Sequence, residues 1–147
     1  MPGFTPAMIP ALRIDYGEVN RRVNRIKEEV TRAEALDVHF TVDGKDRYDV
    51  HFDLRHRAGH ASGGRFPTMG EAGNLPSGEC YIVPYEGEGE ETSQSEGVLP
   101  VQLNDEVVIY RIARNKAVEV LSQGRLSAGE AQHIKDEPAY ANIAELG

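Results

Sequence analysis

Residues 38–54, which read VHFTVDGKDRYDVHFDL, decide the fold. Apolar residues alternate with polar ones on both sides of Asp43-Gly44. Alternation with a period of two is typical of a strand that buries one face, and Asp-Gly between two such runs is a strong turn signal. The stretch therefore predicts a β-hairpin whose loop is slightly longer than two residues. His39 and His51 fall on its polar side.

The sequence before this hairpin predicts an extended arm followed by one amphipathic helix. Residues 1–13 contain three prolines, which do not fit a helix interior. Over residues 14–36, apolar side chains recur at spacings of three and four and form a single stripe. Asp15, with Glu18 three residues later, has the spacing of a capping box. We therefore expect the helix to begin next to Asp15.

The remainder of the chain predicts further strands and a short helix. The β-rich core is expected over residues 37–124, interrupted by a glycine-rich loop at 56–78 and a solvated acidic loop at 86–96. Within it, residues 106–113 carry apolar side chains on both faces, Tyr110 among them, so we expect this strand to be buried on both faces. Over residues 125–147 we expect a short helix opened by a Ser127–Glu130 capping box, then a terminal segment. The predicted fold is a single α+β domain. An N-terminal amphipathic helix precedes a mostly antiparallel, barrel- or sandwich-like sheet and a short C-terminal helix.

Composition narrows the classes of function. The formal net charge of −8 argues against nucleic acid and anionic membranes as partners, because both are bound by clustered Lys and Arg. The residues from Met1 onward show no signal-peptide pattern, and no apolar run approaches the ~20 residues of a membrane span. The single cysteine, Cys80, cannot form an internal disulfide. These features predict a cytoplasmic protein.

The most specific segment is residues 73–84, GNLPSGECYIVP. It places Glu79 directly after a turn set by Pro76 and Gly78, and directly before an apolar strand. Rigid backbone of this kind suits a carboxylate that serves as a metal ligand or general base. The competing interpretation is a solvated carboxylate, which is the commoner state of an isolated glutamate.

This segment resembles the leucyl aminopeptidase T-like family of metallopeptidases, the thermophilic aminopeptidases. That family carries an Asn-Leu/Met-Pro-x-x-Glu segment followed by an apolar strand and a proline. The similarity continues through Ser95-Glu96-Gly97, the hairpin at 107–120 and the terminal residues 138–147, PAYANIAELG. It extends from about Asp53 to the last residue, and its two end segments are the specific ones.

The resemblance implies a divalent metal site. Two glutamates of the family help to bind a metal pair, and the matching positions here are Glu79 and Glu145. The family's remaining His and Asp ligands lie downstream of the second glutamate, whereas this sequence stops two residues after Glu145. Its N-terminal α/β domain has no counterpart here either. The resemblance thus implies a fragment or relative of a metal-dependent aminopeptidase, with zinc or cobalt as metal and peptides as substrates, inactive by itself. It assigns no catalytic residue.

The sequence leaves two specific alternatives open, and a third, a small-molecule binding barrel, has no particular residue behind it. The first is this enzyme, completed by a partner chain. The second is a non-catalytic β-rich interaction or assembly module, a homo-oligomer or a subunit bound to another chain. Several residues are weaker candidates for a site. A metal could bind across the hairpin at His39 and His51 or replace lost ligands at His56, His60 or His133. Asp53 and Arg55 could pair or hold a substrate terminus, and Tyr140 could donate a hydrogen bond near Glu145.

Overall fold

The computed structural model describes residues 4–147, and these residues form two compact units. The helix unit runs from the first described residue to Arg32 and includes Ala58–Ile82 and Leu146–Gly147. The sheet unit consists of Ala33–Arg57 and Val83–Glu145. None of the helices in the described part of the chain combines the length and the apolar character that crossing a membrane requires.

The helix unit begins with a 3₁₀ helix, Pro6–Arg13, followed by helix α1, Tyr16–Arg32. The expectation of an extended arm over residues 1–13 is wrong for Pro6–Arg13. Proline at the first helical position is compatible with a helix, because that position needs no backbone donor. Residues 1–3 of the expected arm lie outside the described residues.

Helix α1 is confirmed, but it is shorter than the predicted 14–36. Its start is set by Asp15, whose Oδ1 accepts hydrogen bonds from the Gly17 and Glu18 amides at 2.9 and 3.1 Å. The other half of the expected capping box is absent, since the Glu18 carboxylate pairs with Arg21 and Arg22 instead. The helix ends at Arg32, and the chain then enters a strand.

The glycine-rich segment at 56–78 contains a short strand, β3, His60–Ser62, which pairs with β4, Glu79–Tyr81. Part of this segment lies directly on α1. A Cβ atom at Gly63 would stand 2.8 Å from the Cα of Asn20, so only glycine permits the observed approach. The segment is therefore packed against the helix over this stretch.

The strands of the sheet unit are β1, Ala35–Val42; β2, Asp46–Asp53; β5, Glu96–Leu103; β6, Glu106–Ala113; and β7, Lys116–Val120. They form one antiparallel sheet in the linear order β1-β2-β5-β6-β7. The α+β class is confirmed. The order leaves β1 and β7 as the two edges of an open sheet, whereas the sequence predicted a barrel- or sandwich-like arrangement.

The predicted hairpin is β1 with β2. Val42 pairs with Asp46, which leaves a loop of Asp43, Gly44 and Lys45. Asp43 and Gly44 take φ values of 50° and 68°, the left-handed conformation that Asp and Gly tolerate best. The prediction of a loop longer than two residues is confirmed.

The core lies on one face of the sheet. Val50, Phe52, Val108 and Ile112 are buried there, whereas Arg111 of β6 is exposed on the other face. The expectation that β6 is buried on both faces is therefore wrong. Helix α2, Arg125–Asp136, packs against β6 and β7, and a hydrogen bond from Tyr110 of β6 to the helix marks the covered face.

Helix α2 is capped from outside its own segment. The Glu106 carboxylate, at the start of β6, accepts hydrogen bonds from the Leu126 and Ser127 amides at 3.0 and 2.7 Å. The expected Ser127–Glu130 capping box is wrong, because the helix begins at Arg125 and its free amides are satisfied by this tertiary contact. The hydrogen bond from the Ser127 hydroxyl and those from the two amides lower the pKa of Glu106.

Replacing Glu106 by alanine should lower the free energy of unfolding, because it removes the acceptor that caps α2. Because the pKa of Glu106 is lower in the folded protein, its contribution is complete above the unfolded pKa and is lost as the pH falls. The difference between wild type and Glu106→Ala should therefore shrink below about pH 4. Urea unfolding followed by circular dichroism measures the loss of stability and its pH dependence. Glu90→Ala, at an exposed position, is the control. Equal stability near neutral pH would contradict the capping role.

Candidate functional site

Glu79 lies where the sequence predicts, at the start of a strand with firm backbone support. It opens β4 opposite Ser62, and its side chain is exposed. Further along, Ile82 and Leu146 exchange two backbone hydrogen bonds of 2.9 Å each. A Cβ atom at Gly147 would lie 3.3 Å from Glu79 Oε1, so the last residue of the sequence borders this carboxylate.

The turn before Glu79 is tied to the neighbouring strand. The Ser77 hydroxyl donates to the Ser62 carbonyl at 2.7 Å, and the two serine hydroxyls also lie 2.7 Å apart. These contacts hold the turn beside β3. Because this turn leads directly into Glu79, the two serine hydrogen bonds restrain the backbone that precedes the carboxylate.

Glu145 belongs to the sheet unit and is also exposed. The terminal segment that carries it is anchored by Asn115, which is fully buried. The Asn115 side-chain amide donates to the Ile143 carbonyl at 2.8 Å, and the Ile143 amide donates to the Asn115 carbonyl at 3.0 Å. The second glutamate therefore follows a well-anchored stretch, though it lies in a different unit from Glu79.

The described residues do not make a complete metal site. Among residues 4–147, no group of three or more His, Cys, Asp or Glu side chains is arranged to hold an ion. Protein zinc sites use at least three protein ligands, commonly including His or Cys. Two carboxylates do not meet that requirement, so a metal held at Glu79 or Glu145 needs further ligands before it can act in catalysis.

The loop histidines have aromatic neighbours. His56 meets the Tyr85 ring edge-on at 5.5 Å, His60 stacks on Tyr81 at 5.0 Å, and His133 meets Tyr140 edge-on at 5.4 Å. These contacts give each ring a packing role. The suggestion that they replace missing metal ligands gains no support from their positions.

The hairpin histidines lie on one face, as predicted, and each pairs with a cross-strand aspartate. His39 Nδ1 is 2.5 Å from Asp49 Oδ1, and His51 Nδ1 is 2.7 Å from Asp37 Oδ1. The register places each histidine directly opposite its aspartate. Cross-strand pairs of this kind stabilise a hairpin, which accounts for the histidines without a metal.

Asp53 and Arg55 form a buried ion pair at the end of β2. Asp53 is 1% exposed and accepts from Arg55 Nε and Nη2 at 2.9 and 2.8 Å. Burial raises the pKa of Asp53, but hydrogen bonds from Arg55 and the Gln94 amide outweigh it and lower the pKa to about 2. Arg55 also contacts Glu91 and the Thr92 carbonyl. The pair therefore fastens the acidic segment, which was expected to be a solvated loop, onto the sheet unit.

A further polar cluster surrounds Glu130 of α2. Tyr110 donates to Glu130 Oε2 at 2.7 Å and Tyr140 at 3.1 Å, and His133 Nδ1 lies 3.3 Å from Oε1. Tyr140 thus bonds to Glu130, whereas the sequence suggested a partner near Glu145. Burial raises the pKa of Glu130, yet the tyrosine and histidine hydrogen bonds bring it below its usual value, so the carboxylate is ionised near neutral pH.

Known proteins were compared with this chain at the level of sequence and of structure. No protein-family model, curated protein or solved structure matches it. The resemblance to the leucyl aminopeptidase T-like family rests on the motif residues themselves. Those are residues 73–84, which contain Glu79, and residues 138–147, which contain Glu145.

The Glu130 cluster was not predicted as a site. Glu130 was assigned to a helix cap, and Tyr110 to a buried strand position. Twenty positions separate these two residues, so no local spacing links them. The one usable signal was a tyrosine inside an apolar strand, because a buried tyrosine hydroxyl usually finds a hydrogen-bond partner.

Proposed function

We propose that this chain is a portion or a relative of a cytoplasmic metal-dependent aminopeptidase, a hydrolase that removes residues from the N-terminus of peptides. Glu79 and Glu145 are the proposed metal ligands, with zinc or cobalt as the metal. Further ligands must come from a partner chain or from a continuation of the sequence, because two carboxylates hold a divalent ion weakly. By itself the chain is expected to be inactive.

The observation that supports this proposal is the backbone support of Glu79. Its strand, β4, is hydrogen-bonded to β3, and just beyond the strand Ile82 is paired with Leu146. An exposed carboxylate on such a scaffold is suited to ligation, because its position varies little. The residue that precedes Leu146 in the sequence is Glu145, the second proposed ligand.

Calorimetric titration of the purified chain with zinc and with cobalt tests the proposal. We expect weak binding, abolished by Glu79→Gln and reduced further by Glu145→Gln, because each change removes one of the two negatively charged oxygen ligands. Glu28→Gln is the matched control, since Glu28 is an exposed glutamate on α1 of the same unit as Glu79. Absence of binding, or binding unaffected by Glu79→Gln, would contradict the proposal.

The second candidate is the non-catalytic interaction module, and the two edge strands favour it. Strand β7 is an edge of the sheet, with Val118 exposed to 41% and Leu121, just beyond the strand, to 46%. Edge strands with apolar side chains pair readily with other chains. Sedimentation velocity distinguishes the candidates: metal-independent self-association, reduced by Val118→Lys, would favour the module.

A further inference from the structure

An apolar pocket of about 310 Å³ lies within the sheet unit, bordered by the Glu130 cluster. Strand β5 supplies one wall, and β6, β7, α2 and the terminal residues 140–143 supply the others. This size is at the lower end of the range for small-molecule pockets, which runs from roughly 300 to 1,000 Å³. Its apolar lining includes Leu99, Val101, Leu103, Ile112, Ala117 and Ile134.

The polar end of the pocket is formed by Tyr110, Glu130 and Tyr140, which all line it. Both tyrosine hydroxyls donate their protons to the Glu130 carboxylate. Their remaining capacity is therefore as acceptors, and an ionised carboxylate is an acceptor only. All three groups consequently offer acceptor oxygens to anything that enters.

The negative charge at this end is weakly compensated. The Glu130 side chain is only 14% exposed, and its ion-pairing neighbour among the described residues is His133, 3.3 Å away and 62% exposed. Tyrosines stabilise the carboxylate by hydrogen bonding but bring no positive charge. A partly buried carboxylate in an apolar setting gains most from a cationic donor.

We propose that this pocket binds a small primary amine with an apolar body, its ammonium group at Glu130 and its body between the sheet and α2. An ammonium carries three donors and no acceptor, which matches the three groups at the polar end. A neutral alcohol leaves the charge uncompensated, and a carboxylate ligand meets repulsion. The proposal does not depend on the aminopeptidase assignment, because none of its residues is a proposed metal ligand.

The probe is 2-phenylethylamine, titrated into the full chain in the presence of a chelator and followed by tyrosine fluorescence and calorimetry. The comparison ligands are 2-phenylethanol and 3-phenylpropanoate, which keep the ring and change the charge. We expect the amine to bind at least about 10-fold more tightly than the alcohol, which corresponds to one charge-assisted hydrogen bond. The carboxylate should bind more weakly than either.

Two pairs of variants separate the effect of the Glu130 charge on binding from the effect of the pocket's free volume. Glu130→Gln should weaken amine binding about 10-fold and leave alcohol binding unchanged, whereas Glu119→Gln, at an exposed position of β7 that does not line the pocket, should change neither. Val101→Phe should fill the pocket and weaken both ligands. Val98→Phe is its control, because Val98 lies on the same strand but does not line this pocket.

Equal affinity for amine and alcohol would overturn the proposal, as would unchanged amine binding by folded Glu130→Gln. Failure of the amine to bind at millimolar concentration would also overturn it. Should Glu130→Gln prove unfolded by circular dichroism, the amine-to-alcohol ratio of wild type and the effect of Val101→Phe decide the question. The chelator keeps this result separate from that of the metal titration.

Discussion

Asp53→Asn should lower the free energy of unfolding by about 3 kcal/mol, because it leaves the Arg55 guanidinium without its buried partner. Asp53 is almost completely buried, and its side chain receives hydrogen bonds from Arg55 and from the Gln94 amide. The asparagine amide keeps the shape but replaces one acceptor oxygen by a donor. Part of the loss is offset, since Arg55 keeps its contact with Glu91.

The pH dependence of stability gives the same prediction a second test. The pKa of Asp53 falls from its ordinary 3.8 to about 2 in the folded protein. A lowered folded pKa means that the contribution is complete above the unfolded pKa and is lost as the pH falls through about 4 toward 2. This lowering of the pKa corresponds to about 2 kcal/mol of stability. On acidification, the difference in unfolding free energy between wild type and Asp53→Asn should therefore decrease by roughly that amount.

Urea unfolding at several pH values, followed by circular dichroism, measures both effects. Glu119→Gln is the control, because it breaks the exposed Arg111–Glu119 pair and should cost less than about 1 kcal/mol. A wild-type-like stability of Asp53→Asn near neutral pH would mean that the buried pair contributes nothing net. A gap that stays constant on acidification would contradict the lowered pKa.

Gly97→Ala should destabilise the chain by about 3 kcal/mol or more, because its Cβ atom would overlap backbone of the neighbouring strand. Gly97 has a φ of 138° and pairs with Val50. A Cβ atom there would lie 2.3 Å from the Asp49 carbonyl oxygen and 2.7 Å from the Val50 Cα. Backbone atoms cannot rotate away, so β2 and β5 must separate where their ladder has only two residue pairs.

Two other glycines are matched controls for this substitution. Gly44 has a φ of 68° but open space around its Cβ position, so Gly44→Ala isolates the conformational cost, about 1 kcal/mol. Gly129 lies in α2 with nothing near its Cβ position, and Gly129→Ala should stabilise the chain by up to about 1 kcal/mol. If Gly97→Ala cost no more than Gly44→Ala in urea unfolding, the predicted overlap would be wrong.

Two candidate site groups differ in how far the sequence predicted their surroundings. The exposed Glu79 at the head of a strand followed from a local pattern, a turn joined directly to an apolar run. The hydrogen bonds from Tyr110 and Tyr140 to Glu130 followed from no local pattern. Glu130 comes within reach of Tyr110 only when α2 packs on β6. The acidic segment at 86–96 was expected to be solvated, because nothing in its own sequence indicated that the buried Asp53–Arg55 ion pair contacts it.

The sequence by itself determined the elements whose signals are local. The two-residue alternation of 38–54 specified the β1–β2 hairpin, and the apolar stripe behind Asp15 specified α1. Tertiary structure alone decided which partners distant groups found: Glu106 as the cap of α2, and Glu130 as the acceptor of two tyrosines. The physical reason is the distance along the chain over which each kind of interaction acts. Periodicity and capping act within one or two turns of chain, whereas buried polar groups take whatever partner the packed core brings within hydrogen-bond distance.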